Sequence, residues 1–446
     1  MTSLTRVQEY SYALPALAMS MPALPVYVLL PTFYAENTAL GLATIGFVLF
    51  AARLVDLLSD LAAGALCDRP PFPRWLRLGR RKGWIVVGGF LIAPSLVLLF
   101  RAPESASSVW LFAMASVLYV GWTFVQVPYL AWINDLSPHY AQRTEISGKR
   151  EAFGIVGLVL SASWPSLAVA WGLAERDSFS LLAILTLILG IASFAWMFRQ
   201  LPEPEVVTLI RSRWRDTAGS PLWRRLVLAW TLNGIANGIP AVLFPFFITE
   251  VLDLPESDRG VFLLVYFLSA VLALPVVFYI GRRIDKHRLW CSSMLIACLV
   301  FAVVPALGPG DAVWFAVVCV LTGMLLGTDL ALPPAMLADA VDWDELRNRR
   351  LSSATFFAGG SLATKLALGI AVLTAPLLLT VFGWQDGIET QSAHTVMALA
   401  MIYAWIPCVL KAGTAAMMWN YPISGRAHRA IQRRLNGRRT PATGVY

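Results

Sequence analysis

FAARLVDLLSDLAAGALCDR, residues 50–69, is apolar enough and long enough to cross a bilayer, yet it carries Arg53, Asp56 and Asp60 inside it. A crossing helix needs about 20 mostly apolar residues. The three charges stand at i, i+3 and i+7, so a helix places them on one face, spread over about 10 Å at 1.5 Å per residue. Gly64 continues that stripe and would let another helix approach closely. Each ionised group at the bilayer centre costs a few kcal/mol on the gentler insertion scales, and such residues mark ion or substrate pathways. Two carboxylates one turn apart also repel, so a cation, a proton, Arg53 or a basic residue from another helix must compensate them.

Working outward, the chain repeats this pattern of long apolar blocks and short polar breaks. Of its 446 residues 58% are hydrophobic, only 14% are charged, and the mean hydropathy is +0.66. Soluble domains carry roughly 25% charged residues. A soluble enzyme, a disordered chain and a disulfide scaffold are thereby excluded, and an all-α polytopic membrane protein is expected. Twelve apolar runs lie near 12–33, 43–67, 84–100, 109–133, 153–172, 179–198, 226–249, 260–280, 289–307, 313–338, 355–382 and 394–419. The first holds Pro15, Pro22, Pro25 and Pro31 and is expected to bend. It begins near Tyr12 and has neither the length nor the cleavage site of a signal peptide.

Lysine and arginine orient the runs. The even breaks and the termini hold 29 of these residues and the odd breaks only Arg101, Arg176 and Arg259. Both termini are therefore expected in the cytoplasm. The same distribution explains the net charge of +8 without nucleic acid. The longest break, 199–225, reads as a linker between an N-terminal six-helix bundle, 1–198, and a C-terminal one, 226–420, followed by a basic cytoplasmic tail, 421–446. Corresponding breaks match weakly. LGRRK (78–82) is echoed by GRRIDKHR (281–288), and NDLSPHYAQR (134–143) by DAVDWDELRNRR (339–350). A duplicated unit with a site near the membrane midplane between the halves is a common transporter plan.

Lys365 lies about ten residues into the eleventh run, too deep for easy snorkelling, and is the distant partner expected for the helix-two acids. A static network of Arg53, Asp56, Asp60 and Lys365 is the plainer alternative. Buried ion pairs are poor stabilisers, so a cation or proton site is favoured. The fourth run places Tyr119, Trp122, Thr123, Gln126 and Tyr129 at helical spacing. Thr123 and Gln126 suit either a polyol or ordinary interhelical hydrogen bonding. Asp329 is another intramembrane carboxylate, expected to handle substrate or protons, and Pro333 and Pro334 behind it predict a helix break. Lys411 is expected to snorkel to the cytoplasmic face.

Cys67, Cys291, Cys298, Cys319 and Cys408 form no CxxC pair and read as free packing residues. No phosphate-binding GxxxxGK[ST], HExxH or GxSxG motif is present, and four scattered histidines make no metal site. Neither an enzyme nor a resident cofactor is expected.

At this point the residues resemble a known signature. ARLVDLLSD…G…DR…GRRK (52–82), VPYLAWINDLSPHYAQR…KR (127–150), MLADAVDWDEL…R (336–350) and Lys365, taken together and in this order, are similar to the glycoside–pentoside–hexuronide:cation symporters, a melibiose-permease-like branch of the major facilitator superfamily. The resemblance runs through both halves. It implies the major facilitator fold and cation-coupled symport, with transported Na⁺ or H⁺ in place of any cofactor. It implies a cation site of Asp56, Asp60, Ser59 and Thr123 with Lys365 in its charge network, to which the helical spacing adds Arg53. It implies a substrate site around Ser20, Gln126, Arg150 and Lys365, to which the runs read above add Tyr129 and Asp329, the latter without an acidic counterpart in the melibiose permease. The cytoplasmic gate would use Asp68, Asp135, Arg143, Asp339 and Asp342. Ser20 and Gln126 stand where the melibiose permease has its galactoside-gripping acids, and Leu61 replaces a usual proline. The cation machinery thus looks kept and the sugar clamp rebuilt. The expected partners are the lipid bilayer and a sugar or glycoside bound by a monomer, while a less polar solute stays open because an animal branch of the family moves lysolipids.

Overall fold

The structure is a computed structural model that describes residues 4–66, 79–103, 105–136, 140–201, 217–281, 283–348, 353–385, 388 and 390–439. Asp68, and the side chains of Asp135 and Arg143, lie outside the described residues, so those three gate residues gain no structural account.

Among the described residues the chain is helical throughout. In a bilayer every backbone N–H and C=O must be satisfied within the chain, and the apolar runs achieve this as helices. The elements are α1 (Arg6–Asn37), α2 (Leu42–Leu66), α3 (Arg80–Phe100), α4 (Ser108–Leu136), α5 (Tyr140–Ala170), α6 (Glu175–Gln200), α7 (Pro221–Val251), α8 (Arg259–Gly281), α9 (Lys286–Ala302), α10 (Ala312–Asn348), α11 (Ser353–Val381), α12 (Ala393–Met418) and α13 (Gly425–Arg439). Eleven of them are long and apolar enough to cross a membrane by length and composition; α5, which holds the expected run 153–172, and α13 are not among these. Lipid-facing positions carry large apolar side chains, such as Phe90, Leu299, Val313 and Val381, each at least 73% exposed.

The prolines act where expected in α1, which is interrupted by a π-helical turn at Pro25–Leu29. Two more prolines, Pro240 and Pro245, precede a second such turn at Phe247–Val251 in α7. The break expected at Pro333–Pro334 does not occur. Helix α10 runs through both residues, and the missing N–H groups simply leave the carbonyls of Asp329 and Leu330 without their usual i+4 donors.

The core divides unevenly along the membrane normal. At the end bearing the odd breaks one continuous cluster joins both halves of the chain, including Tyr34 of α1, Leu49 of α2, Leu243 of α7, Phe315 of α10, Leu379 of α11 and Tyr403 of α12. At the basic end there are two separate clusters. One holds Tyr12, Ile85, Trp132 and Met197 from the first half, and the other holds Leu226, Trp290, Leu337 and Met418 from the second. The halves therefore meet at the odd-break end and have independent cores at the basic end. Between halves, α2 packs on α11 and α5 on α8. A Cβ on Gly46 of α2 would stand 2.6 Å from the Val372 carbonyl of α11, so only glycine permits this approach.

Candidate functional site

The charged face of α2 points into the contact with α4 and α11. Thr123 Oγ1 of α4 lies 3.0 Å from Asp56 Oδ1 and 2.8 Å from Asp60 Oδ1, within reach of either carboxylate for its single proton. Lys365 of α11 reaches across from the other half, and its Nζ donates to Asp56 Oδ1 at 2.8 Å and to Asp60 Oδ1 at 2.8 Å. It is also 3.4 Å from Thr123 Oγ1. The close approach is possible because Gly369, one turn from Lys365, faces Arg53, where a Cβ would meet the Arg53 Cβ at 3.3 Å.

Arg53 donates to Asp56 Oδ2 at 3.3 Å, and its guanidinium carbon lies 4.4 Å from the Tyr27 ring centre and 3.8 Å from that of Tyr119. An aromatic face on each side stabilises a desolvated cation that has left its water behind. The formal charges of Arg53, Asp56, Asp60 and Lys365 cancel, which is how four ionisable groups persist in the membrane interior. The cluster is graded in access: Asp56 is 2% exposed, while the Asp60 side chain keeps 25% exposure. Two carboxylates and a hydroxyl form a hard oxygen set suited to Na⁺ or to a proton, with the lysine ammonium now in the cationic position between them.

Three of the four expected cation-site residues thus meet, together with Arg53 and Lys365. Ser59 does not join them in this conformation, because its hydroxyl donates to the Asp56 backbone carbonyl at 2.7 Å. The expected substrate residues are dispersed. Ser20 faces α5 opposite Gly154, Gln126 is half-buried one turn beyond Thr123, and Arg150 pairs with neighbouring Glu151. Tyr129 stacks on Tyr12 with ring centres 4.9 Å apart, and each hydroxyl donates to the other's backbone carbonyl, at 2.7 and 2.8 Å. Of the gate residues, Asp339 accepts from Lys286 at 2.7 Å and lies 3.4 Å from His428 of α13. Asp342 lies 3.9 Å from the other ring nitrogen of His428.

Asp329 belongs to a second, separate network. Its carboxylate accepts from Trp290 Nε1 of α9 at 2.7 Å, from Asn237 Nδ2 of α7 at 2.9 Å and from Lys411 Nζ of α12 at 3.3 Å. Lys411 also donates to Asn233 Oδ1 at 2.9 Å. The snorkelling expected of Lys411 is therefore wrong: α7 and α9 cover α12 at this level, and the ammonium is held inside by Asp329 and Asn233 at 8% exposure. Sequence reading missed Asn233, Asn237, Trp290 and Tyr27. Asn233 and Asn237 were detectable as a polar pair at i and i+4 in an apolar helix.

Comparison with known proteins decides the family. The model of the family described as MFS/sugar transport protein matches residues 11–425. The chain belongs to that family. It is 21% identical to the inner membrane symporter YicJ of Escherichia coli over 84% of this chain and 83% of the relative. It is 22% identical to the isoprimeverose transporter of Lactiplantibacillus pentosus over 90% of this chain and 85% of the relative. It is also 22% identical to the sodium-dependent lysophosphatidylcholine symporter 1-A of Danio rerio over 84% of this chain and 78% of the relative. The crystal structure of the nucleoside transporter NupG superposes with a TM-score of 0.67 at 12% identity, covering 94% of this chain and all of NupG; at that identity it speaks for the fold alone. The chain is thus a multi-pass membrane transporter of the major facilitator superfamily, related to sugar and glycoside symporters, and not an enzyme.

Proposed function

We propose that this transporter performs cation-coupled symport of a sugar, glycoside or related small solute across the cytoplasmic membrane. Na⁺ or H⁺ is the coupling ion, and two six-helix bundles alternate in access with both termini inside. The observation that carries this reading is the shared hold of Thr123 and Lys365 on Asp56 and Asp60, with the lysine supplied by the other half of the chain.

The step follows from charge. The cluster is neutral with Lys365 in place, so an arriving Na⁺ or H⁺ makes it cationic by one unit unless the ammonium withdraws. Withdrawal of Lys365 loosens a link between α2 and α11, which belong to opposite halves. Cation binding and the relative position of the halves are then coupled, as symport requires when cation and cargo each favour the state that binds the other. Cargo enters the space between the halves beside this cluster, where Gln126 and, after rearrangement, Ser20, Tyr129 and Arg150 supply hydrogen bonds. Asp339 and Asp342, together with Asp68, Asp135 and Arg143, gate the basic end.

The test is uptake into proteoliposomes under an imposed Na⁺ or H⁺ gradient. Asp56→Asn and Asp60→Asn abolish accumulation above the outside concentration; undiminished uphill uptake in both variants would overturn the reading. A second reading is favoured by the likeness to the lysophosphatidylcholine symporter: a facilitator or exporter of a less polar solute on the same fold. Equal downhill flux of a lysolipid in the wild type and both variants would support it. A non-transporting sensor predicts no flux at all.

A further inference from the structure

The Asp329–Lys411 pair lies at one end of a cavity of about 90 Å³, measured as space open to the centre of a water molecule. Its walls come from α7, α8, α9, α10 and α12, with Val28 alone from α1; neither Asp56, Asp60, Thr123 nor Lys365 lines it. The cavity is several times the roughly 10–15 Å³ that admits one water. Its walls are mostly apolar and carry several aromatic rings, among them Phe244, Phe301, Phe315 and Tyr403.

Several polar groups on this wall lack partners. Lys411 has three N–H donors and uses two, on Asn233 and Asp329, although the residue is 92% buried. The hydroxyls of Tyr266 and Tyr403 and the carbonyl oxygen of Asn237 make no hydrogen bond among the described residues, and all three residues line the cavity. An apolar chamber with a few convergent polar groups is the ordinary form of a small-molecule site. The ion pair sums to zero charge, so a charged occupant would bury an uncompensated ion. A neutral occupant with a hydroxyl can accept from Lys411 or a tyrosine and donate to Asn237.

We infer that this cavity is a ligand site, separate from the Asp56–Asp60 cluster, for a small neutral molecule with a flat apolar body and a hydroxyl group, the chemistry of a phenol. It is independent of symport at the acidic cluster.

Cys298 and Cys408 line the cavity and provide the readout, whereas Cys291 does not line it and serves as an internal control. The purified full chain is treated with neutral methyl methanethiosulfonate, with and without phenol, and labelling is followed peptide by peptide by mass spectrometry. Phenol slows labelling of Cys298 and Cys408 but not of Cys291, toluene protects more weakly, and benzoate does not protect. Tyr403→Phe keeps the ring and weakens protection by phenol roughly five-fold, the loss of one hydrogen bond. Ala297→Leu fills the cavity and removes protection. The inference fails if phenol protects neither cysteine, or if it protects equally in the wild type and both variants, which is partition into detergent. It also fails if a cationic methanethiosulfonate labels both cysteines as fast as the neutral reagent, which marks an open water channel.

Discussion

Asp56 and Asp60 on α2 are neutralised by a lysine from the other half of the chain, whereas Asp329 on α10 is neutralised by a lysine from its own half. The chemistry is alike, a carboxylate and an ammonium within the membrane, but the mechanical consequence differs. Lys365 and its acids lie on opposite sides of the contact between halves, so any motion that parts α2 from α11 must break or remake their bonds. Lys411 and Asp329 move together with α7, α9, α10 and α12, and no relative motion of the halves need disturb them. In the proposed cycle the first pair reports and controls conformation, whereas the second ties helices of one half together and lines one cavity.

The largest expected effect tests that division directly. Removing one partner of a buried ion pair typically costs 3–5 kcal/mol, because the other charge is left behind. Lys411→Met should therefore lower the unfolding transition of the purified protein by about that amount, and Asp329→Asn combined with Lys411→Met should restore most of it. Lys365→Met should cost less stability, since Asp60 is a quarter exposed and can be reached by water or a cation, yet it should abolish uphill uptake. If the two lysine variants were equally unstable and equally inactive, the distinction between a hinge charge and a packing charge would be gone.

An intermediate effect concerns Arg53. Its guanidinium is held between Tyr27 and Tyr119, and a desolvated cation–π contact is worth roughly 2 kcal/mol, an exposed one about 0.5–1. Tyr119→Leu should fall in this range by thermal unfolding. Because Arg53 also positions Asp56, the variant should weaken the cation dependence of uptake by about ten-fold while leaving the unfolding change of Lys411→Met additive to it. Non-additivity would mean that the two charge networks are one.

The part of this comparison legible in sequence was the part written in local spacing. Arg53, Asp56 and Asp60 declared a shared face because helical periodicity alone puts them there, and Lys365 declared itself by its depth in an apolar run. Spacing drew Thr123 out only as a hydrogen-bonding residue; its place beside the acids came through family resemblance, since a threonine in a membrane helix has an ordinary packing role. What stayed hidden depends on which helices are neighbours. Lys411 sits seven residues from the end of α12, where linear position suggests snorkelling, and only the packing of α7 and α9 over it reverses that reading. Pro333 and Pro334 signalled a break by local rule, but α10 runs uninterrupted through both along 37 residues, packed on α8 and α9. Tyr129 read as a substrate-site residue because nothing local reveals Tyr12 stacked across from it.

The smallest effect expected is at the far end of the contact between halves. Arg259, at the start of α8, donates to Glu36 at the end of α1 at 3.0 Å and to Glu256 at 3.4 Å, and it sits where the two halves share a core. It is a second charged link across the halves, on the side opposite the separate basic-end cores. Arg259 is buried at 5% exposure while the Glu36 side chain keeps 30%, so removing the arginine leaves a carboxylate that water still reaches, and the cost is set near the exposed end of the range, about 1 kcal/mol. Arg259→Gln should therefore leave folding nearly unchanged but shift the equilibrium between states by up to about five-fold toward the one in which this end opens. Labelling of a cysteine introduced at Leu40, four residues beyond Glu36 and packed on the shared core, measures that shift. Charge reversal, Arg259→Glu with Glu36→Arg, should return the labelling rate to near the wild-type value. If it does not, the link is packing around Arg259 rather than charge, and the cluster at Asp56 and Asp60 is the only charged tie among the described residues that the motion has to break.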